Sequence, residues 1–164
     1  KPRKTKAKAS HGILVKGEDG IMVKLARCCN PIPGDPIVGY ITRGSGVAVH
    51  RADCPNVLSN NPDEQSRLIE VAWDISLDTV YKVNIMITAN DRANLVGDIL
   101  TITSESKLNI FSMNCKADKN KLATMQFGID ITSLEQLEFV MNRIRRLKGV
   151  YSVERIISGY GGTK

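Results

Sequence analysis

Two adjacent thiols, Cys28 and Cys29, are followed by His50 and, four residues further on, by Cys54. Thiolate and imidazole are the ligands zinc prefers, and a closed tetrahedral set of them ties a small domain together. A helical turn beginning near His50 would put His50 and Cys54 on one face. The adjacent pair departs from the common zinc spacing, because neighbouring side chains diverge in a strand and converge only where the following loop twists them. The alternative is that the cysteines are small buried hydrophobes and His50 a hydrogen-bonded strand end. Pattern alone leaves both readings open.

Catalysis has less to work with. The chain has two histidines, and His11 lies at the end of a basic opening segment. His50 and Cys54 could be drawn as a nucleophile pair, but no orienting third group or oxyanion hole accompanies them. Gly44-Ser45-Gly46 lacks the length and the lysine of a phosphate loop. A non-catalytic chain is the expectation.

A second constellation runs from Asn90 through Asp91, Arg92, Asn94, Leu95, Val96 and Gly97 to Asp98, where a strand gives way to a helix. Unbonded N–H groups in the first helical turn attract an anion such as an amino acid carboxylate, and Asp91 or Asn94 could meet an ammonium. Gly97 would admit a ligand or a neighbouring strand closely. An ordinary helix start, capped by Asp91 or Asn94, fits the same residues. Cys115 reads most simply as a core residue.

The elements that must hold these groups follow from periodicity. Ile13–Val15 and Ile21–Leu25, separated by Gly17-Glu18-Asp19-Gly20, read as a hairpin. The three prolines between Cys28 and Pro36 require a shaped loop. Ile37–Thr42 and Val47–His50 read as strands, Ala52–Leu58 as one helical turn ended by Asn60-Asn61-Pro62-Asp63, and Leu68–Trp73 as a strand. Beyond a boundary at Asp74–Asp78 come a strand with Val83, Ile85 and Ile87, and a helix from about Asn94 to Ser106. Strands at Ile110–Lys116 and Leu122–Ile131 form a hairpin. Ser133 and Gln136 make a capping box, and a helix ending at Gly149 precedes a strand at Val150–Ile157. The order βαββαβ predicts an antiparallel four-stranded sheet with both helices on one face. The fold class is α+β: a basic linker over 1–12, a small β-rich domain with a short helix over 13–76, and a ferredoxin-like domain over 77–164. Phe111, Met113 and Cys115 suggest an apolar sheet face or edge to be shielded by the first domain, by missing segments or by a second copy.

The 164 residues carry a net charge of +6, and Lys1, Arg3, Lys4, Lys6 and Lys8 account for all but one of it. Such a run reads as a solvated linker with non-specific attraction to RNA. No apolar run is long enough to cross a bilayer, and no leader-like segment opens the chain, so a cytoplasmic location with no membrane partner is expected. Four unevenly spaced cysteines suit a reducing compartment. A start at Lys1 suggests a piece of a longer protein.

The stretches Ala26–Gly46 (ARCCNPIPGDPIVGYITRGSG) and Val49–Asn56 (VHRADCPN) resemble the conserved-cysteine domain of the long Rel-type alarmone synthetase-hydrolases. The βαββαβ half is similar to the ACT domain of the same proteins. The resemblance implies a C-terminal regulatory region of proteins whose N-terminal domains make and hydrolyse (p)ppGpp. It implies Cys28, Cys29, His50 and Cys54 as a Zn²⁺ set, and Arg27, Arg43 and Arg51 as phosphate contacts to ribosomal RNA and A-site tRNA. It also implies a branched-chain amino acid, valine-like, held at Asn90–Ile99 in an ACT homodimer. Asn94-Leu95-Val96 stands where that loop usually has Gly-Leu-Leu. A rival is an RNA-binding module whose ACT half serves only for dimerisation or docking.

Overall fold

A computed structural model describes residues 12–16, 21–44, 46–74 and 79–157. They form two compact units, one ending at Thr79 and the other spanning Val80–Ile157. The expected basic linker lies, apart from Gly12, outside the described residues.

In the first unit, β1 (Ile13–Val15) pairs antiparallel with β6 (Val71–Trp73). A four-stranded sheet has the order β2-β4-β3-β5, from β2 (Val23–Leu25), β3 (Ile37–Ile41), β4 (Val47–Arg51) and β5 (Leu68–Ile69). Ile13, Val23, Val47, Val49 and Val71 form the core between them. Gly39 is what lets the layers meet: a Cβ there would lie 2.9 Å from side-chain carbons of Ile69, Val47 and Val71.

Three expectations fail in this unit. β1 and β2 are not a hairpin: β1 joins β6, and β2 runs parallel to β4. Three-residue strands gain little by pairing with each other, whereas Ile13 and Val23 each reach the shared core. Ala52–Leu58 is a chain of turns, closed by Cys54 N–H to Arg51 O and Val57 N–H to Cys54 O, not a helix. The short helix α1 is instead Pro62–Gln65, with Pro62 in the first turn and the Asn61 side chain accepting from Asp63 N at 3.0 Å. Asn61-Pro62 is therefore a start signal where a stop was read. The strand expected over Leu68–Trp73 parts at Glu70, and its halves join different sheets.

The second unit follows its pattern. Its elements are β7 (Tyr81–Asn90), α2 (Leu95–Glu105), β8 (Ile110–Ala117), β9 (Leu122–Ile131), α3 (Leu134–Arg145) and β10 (Val150–Arg155). The antiparallel order is β10-β7-β9-β8. Val83, Ile85 and Ile87 of β7 face the same core as Met125, Phe127 and Ile129 of β9, under the stripes Leu95, Ile99, Ile102 and Leu137, Val140, Met141, Ile144. The capping box is offset by one residue. Ser133 Oγ accepts from Gln136 N at 3.2 Å, but Gln136 Oε1 accepts from Thr132 N and Thr132 Oγ1, both at 2.8 Å. Removing the Ser133 hydroxyl orphans the Gln136 amide, so Ser133→Ala should cost about 1 kcal/mol in denaturant unfolding followed on this unit.

β8 is the edge strand, exposed from Phe111 onwards. A register shift between Ile110 and Ser112 sends Phe111 to the face opposite Met113 and Cys115. The Phe111 ring lies where a Gly128 Cβ would be, 2.4 Å from that position, and the Lys82 ammonium stands 4.1 Å from its centroid. Met113 and Cys115 sit opposite Phe127 and Met125, on the helix side. Cys115 is exposed, not a core residue, because it lies on the edge strand of the sheet.

Candidate functional site

The thiols and imidazole meet in the first unit. Ala26 N–H donates to Val49 O, fixing the end of β2 beside β4, and Asn30 N–H returns to Ala26 O in a tight turn. Asn30 takes a left-handed φ of 43°. This turn, not a strand, carries Cys28 and Cys29, so the adjacent side chains converge: their Sγ atoms are 3.9 Å apart. His50 lies near the end of β4, and the Arg51–Cys54 turn brings Cys54 back without any helix. Cys28 Sγ is 3.3 Å from His50 Nδ1 and 3.6 Å from Cys54 Sγ, and Cys29 Sγ is 3.9 Å from His50 Nδ1. All four donor atoms lie within 4.8 Å of one another.

The donor set fits a metal. Tetrahedral zinc with Zn–S of about 2.3 Å and Zn–N of about 2.0 Å requires sulfurs and nitrogen spaced by about 3.5–3.8 Å; four of the spacings here are 3.3–3.9 Å and all lie within 4.8 Å, so small side-chain rotations would close the set on an ion. Cys29 and Cys54 are fully buried, and Cys29 Sγ accepts the Arg51 N–H at 3.3 Å, an outer-shell bond of the kind that orients a ligand. Burial pushes the Cys29 and Cys54 thiols up and His50 down, so without a cation the site disfavours charge. Bound, the ion would supply a four-point cross-link between the β2–β3 loop and the end of β4. With all four positions taken by protein, such a site is structural.

The arginines around it are placed differently. Arg27 and Arg43 are exposed. Arg51 makes a two-pronged bond to Asp53, Nε to Oδ1 at 3.0 Å and Nη2 to Oδ2 at 2.9 Å, with its side chain 16% exposed.

In the second unit a cavity of about 290 Å³ opens at the start of α2. One wall is Asp91, Arg92, Asn94, Leu95, Val96 and Gly97. Asn90 and Asp98 do not line it: Asn90 pairs with Leu122 in the sheet, and Asp98 is held by Arg92 Nη2 at 2.8 Å and Asn94 Nδ2 at 3.2 Å. Arg92 is further pinned to Lys148 O at 2.6 Å. Asn94 sits at φ 64° and makes no side-chain cap; Asp91 makes none either. Its amide lies over Gly97, whose Cβ would be 2.3 Å from Asn94 Oδ1. Gly97 thus makes room for Asn94. Among the described residues, no protein acceptor meets the amides of Val96 and Gly97.

The other wall is Cys115, Lys116 and Ala117 of β8 with Ala123 and Met125 of β9. The residue pattern around α2 did not point to these. The usable signal was the hairpin register, which sets Ala117 against Ala123 and Cys115 against Met125. Asp91 N–H donates to Lys121 O at 2.7 Å, tying the loop to that hairpin.

A strand-rich unit closed by a thiol–imidazole cluster, followed by a βαββαβ unit with a pocket at its first helix, is the plan of a tandem regulatory module. Residues 13–74 match the RelA/SpoT RIS domain, and residues 77–155 match the ACT domain. The chain belongs to the RelA/SpoT family, of which it is a non-catalytic regulatory part. It is 42% identical over 95% of its length to a GTP pyrophosphokinase of Streptomyces coelicolor, covering 18% of that protein. It is 37% identical over 96% of its length to the bifunctional (p)ppGpp synthase/hydrolase RelA of Mycobacterium tuberculosis, covering 21% of it. The ACT domain from a GTP pyrophosphokinase of Chlorobium tepidum aligns along its whole length with 48% of this chain, at 26% identity and a TM-score of 0.44. The chain therefore spans about a fifth of the length of the curated relatives it matches. Among the described residues no helix is long and apolar enough to cross a membrane.

Proposed function

We propose that this region controls the (p)ppGpp-making and -hydrolysing domains of its parent protein, in the stringent response of the cytoplasm, by sensing amino-acid supply in two ways. The first is contact with ribosomal RNA and A-site tRNA through Arg27, Arg43 and Arg51 of the RIS domain, whose shape a Zn²⁺ ion on Cys28, Cys29, His50 and Cys54 holds. The second is a branched-chain amino acid bound at the start of α2.

The observation that carries the second is the pair of unbonded amides, Val96 and Gly97, at the mouth of a cavity backed by Leu95, Ala123 and Met125. The amides suit a carboxylate at a helix N-terminus, and the apolar back suits a short branched side chain. Asp91, exposed on the rim, suits the ammonium. Arg92 and Asp98 satisfy each other and so frame the loop. The exposed edge β8, with Met113 53% exposed and Cys115 beside it, supports a homodimer that completes the cavity. A ligand can bias the catalytic domains only if it binds one conformational or oligomeric state better than another.

Calorimetry with valine, isoleucine and leucine, run beside sedimentation at the same concentrations, tests this. Saturable heat at millimolar ligand, with a shift toward dimer, is expected. The same exposed edge favours a second reading, an RNA-binding module whose ACT domain only dimerises or docks; dimer without heat would select it.

A further inference from the structure

Among the three cysteines of the cluster, Cys28 alone reaches solvent. Its Sγ lies 3.6 Å from Cys54 Sγ and 3.3 Å from His50 Nδ1. A disulfide needs about 2.05 Å, so side-chain rotation has to close about 1.5 Å. We propose that Cys28 is an oxidation site for hydrogen peroxide, resolved by Cys54 into a Cys28–Cys54 disulfide.

The chemistry balances. The Cys28 sulfur attacks one peroxide oxygen, the O–O bond breaks, and the thiol proton leaves with the other oxygen as water, giving a sulfenic acid. The Cys54 sulfur then attacks Cys28 Sγ, the S–O bond breaks, and the hydroxyl leaves with the Cys54 proton as a second water. Two thiols are oxidised and one peroxide is reduced. The other pairings are less favourable. Cys28 and Cys29 are 3.9 Å apart, and joining adjacent residues closes a small ring that distorts the intervening peptide. Cys29 is fully buried and its sulfur already accepts the Arg51 amide.

The disulfide and a four-coordinate metal are mutually exclusive, because the bond removes two of four ligands. Oxidation therefore makes the cluster a switch between a cross-link through an ion and a cross-link through sulfur. The disulfide itself does not require that an ion was ever there.

The full chain, once loaded with Zn²⁺ and once treated with chelator, is exposed to hydrogen peroxide and then alkylated. Both samples should lose the mass of two hydrogens per chain, with Cys28 and Cys54 recovered in one linked peptide and Cys29 and Cys115 alkylated. The loaded sample should also release its zinc to a chromogenic chelator, and dithiothreitol should reverse the link. Cys54→Ala should lose the link and stall at a sulfenic acid on Cys28 that dimedone traps, whereas Cys115→Ala, a change at an exposed position of the other unit, should still form the Cys28–Cys54 link. A Cys28–Cys29 link, over-oxidation of Cys28 with no link, cross-linking only through Cys115, or no mass change in either sample would each overturn the proposal. A link in the chelated sample alongside no zinc binding would sink the metal reading and leave this one standing.

Discussion

Cys54→Ser is expected to lower the affinity of the protein for Zn²⁺ by more than the 10- to 100-fold that an outer-shell substitution costs, and to remove the cooperative unfolding of the RIS unit. The reason is the size of what else holds that unit. Its core cluster rests on Ile13, Val23, Val47, Val49 and Val71, and its strands run from two to five residues. Domains this small commonly need a staple, and binding energy at a structural zinc site is folding energy. Serine keeps the volume and loses the thiolate. A chelator competition for Zn²⁺, read beside hydrogen exchange, checks both halves. Protection across 13–74 should collapse while amides of β7 and β9 stay protected, since those strands belong to the other unit. An unchanged Zn²⁺ affinity in the chelator competition would show that Cys54 is not a ligand.

Ala117→Trp should abolish valine binding outright. Ala117 is exposed at the end of β8 and lines the cavity, so the substitution needs no repacking of the core. An indole is about the size of a whole valine molecule, so at this position it would fill the part of the cavity beside β8 that the ligand needs. Ala117→Ser, which adds one oxygen, should bind as the parent does. Calorimetry on the three proteins checks this, with circular dichroism melting to show that the fold is kept. Undiminished heat from the tryptophan variant would place the ligand elsewhere.

The ACT half was legible because its patterns are long. Val83, Ile85 and Ile87 alternate over a ten-residue strand, and the stripes of α2 and α3 run for three turns, so period decides type without help from tertiary contacts. The RIS half was less so, because its three-residue strands fit a hairpin or a sheet crossing equally well. Ile13 and Val23 chose partners by the core they share, which no local pattern records. Within the sites, the identities of Cys28, Cys29, His50 and Cys54 were readable, but the route by which they meet was not. The turn closed by Asn30 N–H to Ala26 O replaces the divergence of a strand, and the Arg51–Cys54 turn replaces the expected helix. The cavity at the start of α2 was readable on one side only. Its opposite wall depends on the β8–β9 register, and Phe111 breaks the simple alternation by bulging toward Gly128.

The most direct test of the account follows the backbone amides of Val96 and Gly97 by NMR as L-valine is added to the isotope-labelled protein. Both resonances should shift and saturate, together with those of Ala117 and Met125 across the cavity, and valinamide, which lacks the carboxylate, should leave Val96 and Gly97 unmoved. Unchanged resonances at millimolar valine, or equal shifts with valinamide, would contradict the assignment of these two amides as the anchor of an amino-acid sensor.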